Sequence, residues 1–154
     1  MKNVVLEVNK IAVYENVAEA SAYVGSKSDN DKDFDKVSSV DEDRALFEGF
    51  WVEASDVATN VFRPFLESVS GNTSDNGLHT SENYSVTLNA PDNFDDNVTE
   101  SMKTSLFSYF AAYIKSKWFA VVKEDKEKEY AATANLMLED VKQKMYNRKK
   151  PKRR

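Results

Sequence analysis

The alternation of apolar and polar residues near the start of the chain predicts a strand followed at once by a helix. Residues 4–8 are mostly β-branched and bounded by polar residues, which is typical of a short strand. From about Lys10 the apolar residues recur at helical spacing, and Gly25 is placed to end the helix. The strand must therefore find its pairing partner far along the chain.

The clearest periodic signal predicts a long amphipathic helix from Leu46 to Val69, preceded by a capping-box pair, Ser39 and Glu42. Pro64 lies inside this pattern and lacks the N–H that a helix needs, so we expect a kink or a restart there. The apolar positions are Leu46, Phe47, Phe50, Trp51, Ala54, Val57, Ala58, Val61, Phe62, Phe65, Leu66 and Val69.

A second strand is predicted where Tyr84, Val86 and Leu88 alternate with polar residues, with residues 78–80 as a candidate hairpin partner. Short strands are marginal in isolation, so both predicted strands need long-range partners. Pairing within one chain and pairing between subunits are both open at this point.

The C-terminal half predicts a helical hairpin. Pro91 closes the strand, and Asp92, Asp95 and Asp96 suit a helix N-terminus. Apolar positions then follow helical spacing, are interrupted by the charged residues 123–128, and resume until about Tyr146. One continuous helix is the alternative. The whole pattern predicts a mainly α fold, a bundle of about three to four helices with two short β segments, as a single domain over residues 1–147.

Charge is distributed unevenly along the 154 residues, although the net charge is only −5. Residues 148–154 form a basic C-terminal tail, and without its six cations the chain has 15 basic and 26 acidic residues, a net charge of −11. The six candidate partner- or DNA-contacting residues are Arg148, Lys149, Lys150, Lys152, Arg153 and Arg154.

The residue inventory argues against catalysis. One His, no Cys and four Gly exclude a Cys nucleophile, a multi-His zinc site and a Gly-rich phosphate loop. We therefore expect no enzyme activity, no catalytic or metal-binding residues and no cofactor. The lone His79 lies in a turn-rich region and is interpreted as a surface residue, while Asp92, Asp95 and Asp96 already have a capping role that explains them without carboxylate catalysis.

A calcium loop is the one metal site that the spacing suggests. Asp31, Asp33 and Asp35 alternate within the acidic residues 26–43, and Glu42 occupies the twelfth position of the pattern. The sixth position is Lys36, where calcium loops need a Gly for the sharp turn. A solvated acidic loop is therefore the favoured interpretation.

The basic tail allows three interpretations. It can bind nucleic acid without base specificity, with a steep salt dependence from counterion release. It can equally be a solubilising end that suits a helix C-terminus, or it can dock on an acidic protein surface such as the body of a second copy. The N-terminus lacks a signal peptide, and no run approaches the ~20 apolar residues of a membrane span, so we expect no membrane contact.

Several runs along the chain resemble small virion proteins of Bacteroides phages and prophages. The runs are VYENVAEASAYVGSK (13–27), DEDRALFEGFW (41–51), FRPFL (62–66), YFAAYIKSKWF (109–119), EYAATA (129–134) and YNRKKPKRR (146–154). They are patterns of core residues rather than catalytic signatures. The resemblance covers most of the chain.

This resemblance implies a structural protein of a crAss-like tailed phage, made in the bacterial cytoplasm and located in the tail or neck of the virion. The expected role is a head-to-tail connector or ring subunit below the portal, around the DNA channel. Such rings are usually dodecameric, so the implied partners are further copies, the portal and other connector or tail proteins. The alternative is a small nucleic-acid-binding phage protein acting through its basic tail.

Overall fold

The structure, a computed structural model of the protein, describes residues 1–26, 44–70, 74–75, 79–80, 83–122 and 124–149. The helices are α1 (Lys10–Ser26), α2 (Arg44–Phe62), α3 (Thr99–Val122) and α4 (Glu127–Lys144). The strands are β1 (Lys2–Asn9), β2 (Leu66–Ser70), β3 (Ser74–Asp75), β4 (His79–Thr80) and β5 (Asn83–Ala90). The predicted mainly α fold with short β segments is confirmed.

Three strands form an antiparallel sheet in the order β1-β5-β2. β1, at the start of the chain, thus lies beside β5, which ends at Ala90. β1 and β5 pair without interruption, from Lys2 opposite Ala90 to Asn9 opposite Asn83. Alternate residues on both strands face the core, as a sheet with one buried face requires. Both predicted strands are confirmed, and they pair with each other inside one chain.

α3 is the central element of the fold. It packs against α1, α2, α4 and the buried face of β1. A helix that contacts neighbours on most sides must be apolar around most of its circumference. At its middle, the Phe110 ring lies 4.6 Å from that of Trp51 on α2 and 5.1 Å from that of Tyr84 on β5. These three rings tie both helices to the sheet.

Buried hydroxyl groups link α2 to the sheet and to α3. Thr59 Oγ1 donates to the Ser55 carbonyl at 2.8 Å and lies 2.9 Å from the Tyr84 hydroxyl. Since the single Thr59 hydroxyl hydrogen is used on Ser55, Tyr84 is the donor to Thr59. Tyr109 Oη donates to the Ala54 carbonyl at 2.8 Å. Burial raises the pKa of Tyr84 to about 12, and it also raises the pKa of Tyr109.

The predicted interruption of the helix at Pro64 is confirmed, but the prediction that the helix extends to Val69 was wrong. α2 ends at Phe62, and Pro64 lies in a 3-10 helical turn, Arg63–Phe65, after which the chain extends as β2. The missing N–H of Pro64 is tolerated in the first turn of a new helical segment but interrupts a continuing α-helix. Leu66 and Val69 then pair opposite Leu88 and Val86 of β5.

The suggested hairpin between residues 78–80 and the Tyr84 strand was also wrong. His79–Thr80 pairs with Ser74–Asp75 in a separate two-stranded ribbon, because both sides of β5 are already occupied by β1 and β2. Gly71 and residues 27–43, with the acidic loop, the capping box and the calcium pattern, lie outside the described residues.

The predicted helical hairpin is confirmed. α3 and α4 are joined through a 3-10 turn, Glu124–Lys126, and the rings of Phe119 and Tyr130 stack at 5.3 Å beside this turn. Within the charged run, Asp125 and Lys128 are exposed and Lys126 and Glu127 are half-buried, so the apolar pattern is interrupted at this turn. The alternative of one continuous helix is excluded.

Candidate interaction site

The basic tail does not continue directly from α4, because a turn redirects the chain after the helix ends. After Lys144 the backbone turns, with Tyr146 N–H donating to the Gln143 carbonyl at 3.0 Å and Asn147 N–H donating to the Lys144 carbonyl at 3.1 Å. Met145 is buried in the core at this turn. The chain is thereby directed onto the loop that follows β5.

Residues 147–149, here called the tail base, pair with residues 93–95 like two short antiparallel strands. Asp95 N–H donates to the Asn147 carbonyl at 3.2 Å, and Lys149 N–H donates to the Asn93 carbonyl at 2.8 Å. Phe94 and Arg148 form the bridge pair between them. Because these bonds are made by backbone atoms, they fix the direction in which the chain leaves the fold.

The loop that receives the tail base is itself rigidly placed. Phe94 is fully buried, and its N–H donates to the Pro91 carbonyl at 2.9 Å, which closes a turn after β5. The Asp95 carboxylate accepts from Asn97 N–H at 3.0 Å and caps the 3-10 turn Asp96–Val98 before α3. The capping role predicted for these acidic residues is confirmed for Asp95.

Ion pairs bring the start of β1 to the same loop, and we call Met1, Lys2, Asp92, Asp96 and Lys149 the terminal cluster. Lys2 Nζ lies 2.9 Å from Asp96 Oδ2, which is also 3.5 Å from Lys149 Nζ. The amino group of Met1 lies 3.3 Å from Asp92 Oδ1. The hydrogen bond from Lys2 lowers the pKa of Asp96 and raises that of Lys2 itself.

The predicted tail residues divide into two groups. Arg148 and Lys149 are exposed on the tail base, and the Arg148 guanidinium donates to the carbonyls of Met145 at 2.9 Å and Asn147 at 3.0 Å. The structure thus places Lys149 beside Asp96 and holds the Arg148 guanidinium on the turn that follows α4. The other four candidate residues, Lys150, Lys152, Arg153 and Arg154, lie outside the described residues.

Sequence reasoning missed the receiving loop and Lys2. The acidic run at residues 92–96 was assigned only to the start of a helix, and nothing in its spacing pointed to the tail base. A signal was available in the predicted helical hairpin. An acidic run precedes its first helix and a basic run follows its second, and an antiparallel hairpin brings these two ends of the chain close together.

A second polar cluster lies between α3 and α4, outside the predicted site. Lys144 Nζ donates to Asp140 Oδ2 at 2.6 Å and to Ser101 Oγ, and Ser105 Oγ donates to Asp140 Oδ2 at 2.7 Å. The hydrogen bond from Lys144 lowers the pKa of Asp140. Because Ser101 and Ser105 lie on α3 and Asp140 and Lys144 lie on α4, these bonds link the two helices.

Metal-ligating residues do not converge in the described part of the chain, where no group of three His, Asp or Glu side chains could hold an ion. His79 lies on β4 in register with Asp75. Within the described ranges, no helix has both the length and the apolar character needed to cross a membrane.

Comparison with protein families, with curated proteins and with solved structures finds no match to this chain. What the arrangement can do chemically follows from its own groups. The tail base and terminal cluster present cations and carboxylates at fixed positions on the surface, which suits binding to a charged macromolecular surface.

Proposed function

We propose that this chain is a virion structural protein, a head-to-tail connector or ring subunit that assembles below the portal of a tailed phage. The observation that carries the proposal is the tail base, which fixes the direction of a strongly basic tail by two backbone hydrogen bonds to the loop at Asn93 and Asp95. A solubilising end needs no such anchoring, whereas a segment that must reach a neighbouring subunit benefits from a defined starting point.

The charge of the body supports a protein target for the tail. The residues before 148 have a net charge of −11, so a neighbouring copy offers an acidic surface to the six cations. In a ring around a DNA channel, an acidic body also lets DNA pass without adhering to it. The phage origin itself rests on the resemblance of the sequence runs.

The proposal is tested by measuring the protein in purified virions of the phage that encodes it, by quantitative mass spectrometry against the portal subunit. A ratio of one, or a simple multiple, is expected. Absence from the particle would overturn the virion role.

A variant with Lys150, Lys152, Arg153 and Arg154 replaced by Gln tests the tail, since the tail base remains intact. We expect its incorporation into virions to fall at least roughly tenfold, because the contact with an acidic surface is lost. The control replaces Lys126 and Lys128 by Gln at the far end of the α3–α4 hairpin, and it should be incorporated normally. Normal incorporation of the tail variant would contradict the docking role.

A second candidate function, nucleic-acid binding through the tail, is favoured by the exposure of Arg148 and Lys149 beside the tail's other cations. It predicts that the logarithm of the affinity for duplex DNA falls with the logarithm of salt concentration with a slope of about −0.9 per phosphate contacted. Fluorescence anisotropy across a salt series measures this slope. A steep slope that the four-Gln variant abolishes, together with absence from virions, would favour this candidate over the connector.

A further inference from the structure

The two edges of the three-stranded sheet differ in how well they can receive another strand. β1 is one edge, and its eight residues pair with β5 in unbroken register. Among the described strands β1 has no second neighbour, so its outer edge presents N–H and C=O groups that no described strand pairs with. A regular, uninterrupted edge of this length is a template for a further strand.

β2, the opposite edge, is protected. It has five residues, and its register with β5 shifts between Leu66 and Ser68, which marks a β-bulge. A bulge twists the edge and breaks the regular spacing of its hydrogen-bonding groups, and this is one way in which natural sheets avoid edge-to-edge pairing. The structure therefore offers one receptive edge and one protected edge.

The outward side chains next to the receptive edge have little charge. Val5, at the centre of β1, is 49% exposed, and it lies between the exposed Asn3 and Glu7. The outward residues of β5 are Asn83, Ser85, Thr87 and Asn89, all uncharged. In a chain with 31% charged residues, a charge-poor sheet face has the composition found at the centre of protein interfaces.

We propose that the free edge of β1 pairs with the β1 edge of a second copy, forming a continuous six-stranded sheet across a two-fold axis perpendicular to it. The two-fold operation reverses the strand direction and keeps the buried faces of both sheets on the same side. Odd-numbered residues of β1 therefore lie opposite odd-numbered residues of the second copy, and even-numbered residues lie opposite even-numbered ones. This inference concerns the free protein and does not depend on the proposed virion role.

Side-chain complementarity selects one register. With Val5 opposite Val5 of the second copy, each Asn3 amide lies opposite a Glu7 carboxylate, which it can serve as a hydrogen-bond donor. No like charges face each other in this register. A shift that places Leu6 opposite Leu6 puts Val5 against Glu7 and loses both favourable pairs.

Cysteine cross-linking tests the contact directly, because the natural chain contains no Cys. Residues directly opposite in an antiparallel pair have Cα atoms about 4.5–5.5 Å apart, within the range that a disulfide spans. Val5→Cys should therefore form a disulfide-linked dimer under mild oxidation. The matched control is Ser68→Cys on the bulged edge, where we expect the chain to remain monomeric on a non-reducing gel.

Sedimentation equilibrium of the otherwise natural protein gives the dissociation constant without a cross-link. Val5→Lys should weaken self-association by roughly tenfold or more because two lysines then lie opposite each other, while Val5→Thr should retain it. Val5 faces outward, so both variants should melt like the natural chain at a protein concentration well below its dissociation constant, where all three are monomeric. This measurement separates lost association from lost folding.

Three results would overturn the proposal: a natural chain that stays monomeric at high concentration, a Val5→Cys chain that cross-links no faster than Ser68→Cys, or cross-linking only in a mixture of the two. The last result would mean that β1 pairs with β2 of the next copy. All are read on purified protein without phage, so a failure here is distinct from absence of the protein from virions.

Discussion

Ion pairs in the interior and at the chain ends use the same chemistry in different surroundings. Lys10 and Glu48 join the start of α1 to α2, with Nζ 2.8 Å from Oε1 and side chains only 10% and 12% exposed. Lys2 and Asp96 pair at a similar distance, 2.9 Å, with side chains 29% and 58% exposed. In the interior, water does not take the place of a lost partner in hydrating the remaining charged group. At the chain ends, water hydrates either group when its partner is removed.

The comparison separates stability from positioning. Removing one partner of a buried pair leaves a charge without compensation, which is far more costly than breaking an exposed pair. The terminal cluster therefore adds little to the free energy of unfolding. Its value lies in holding the start of β1 and the tail base on one loop, and backbone hydrogen bonds share that task.

The largest expected effect follows from breaking the interior pair. Glu48→Ala removes the carboxylate that lies 2.8 Å from the Nζ of the buried Lys10 and should lower the free energy of unfolding by about 3 kcal/mol. Urea denaturation measures the change. The double variant Lys10→Met/Glu48→Leu should recover most of the loss, since apolar groups of similar size need no compensation. If Glu48→Ala were as stable as the natural chain, the buried ion pair would contribute no more to stability than the exposed pair at the chain ends.

At alkaline pH, the buried hydroxyl of Tyr84 should make the stability of the interior depend on pH. The pKa of Tyr84 is about 12 in the folded protein and about 10 when unfolded, so between these values the unfolded state binds fewer protons. Stability is therefore fully present below pH 10 and falls as pH rises above it, by about 1 kcal/mol per pH unit for this tyrosine. Urea denaturation between pH 8 and 11.5 tests this. Tyr84→Phe should decline less steeply, and an identical decline would contradict the assignment.

At neutral pH, Tyr84→Phe should have a smaller effect. The ring still packs on Phe110, but Thr59 Oγ1 loses its donor, which is expected to cost about 1 kcal/mol. Tyr146→Phe is the matched control, because that side chain is 54% exposed and keeps its ring contact with Phe65. Equal losses in the two variants would show that the buried hydroxyl has no special role.

The smallest effect is expected for Asp96→Asn in the terminal cluster. The urea denaturation midpoint should stay within experimental error, while the pKa of Lys2, followed by NMR, moves back toward its ordinary value. The amide of Lys149 should remain protected from hydrogen exchange because its bond to the Asn93 carbonyl is unaffected. A marked loss of stability would mean that the cluster is structural after all.

Periodicity alone predicted most of the fold but misassigned β2, and the bulge explains why. In a regular strand, residues on one face are two apart, yet Leu66 and Val69 are three apart and both pair with core-facing residues of β5. The extra residue in the bulge creates the three-residue spacing that is typical of a helix. Apolar spacing from a single chain cannot separate these two cases.

The candidate site was predictable only in part. A run of cations at the end of the chain is visible in the sequence, so Arg148 and Lys149 were predicted as candidates. Their anchoring on Asn93 and Phe94 is not visible, because it depends on backbone atoms of segments far apart in sequence. The buried ion pair of Lys10 and Glu48 was not predicted for the same reason, since single charges on two helices do not indicate which residues pair.

The distance in sequence between β1 and β5 also determines how long β1 remains unpaired while the chain is being synthesised. Asn83 follows Glu7, to which its side chain donates a hydrogen bond, by 76 residues, so β1 leaves the ribosome long before β5 exists. At roughly 5–20 residues per second, the apolar face of Val4, Leu6 and Val8 waits several seconds for its partner. During that interval every nascent chain exposes an unpaired apolar strand, and crowded ribosomes on one message bring such strands together.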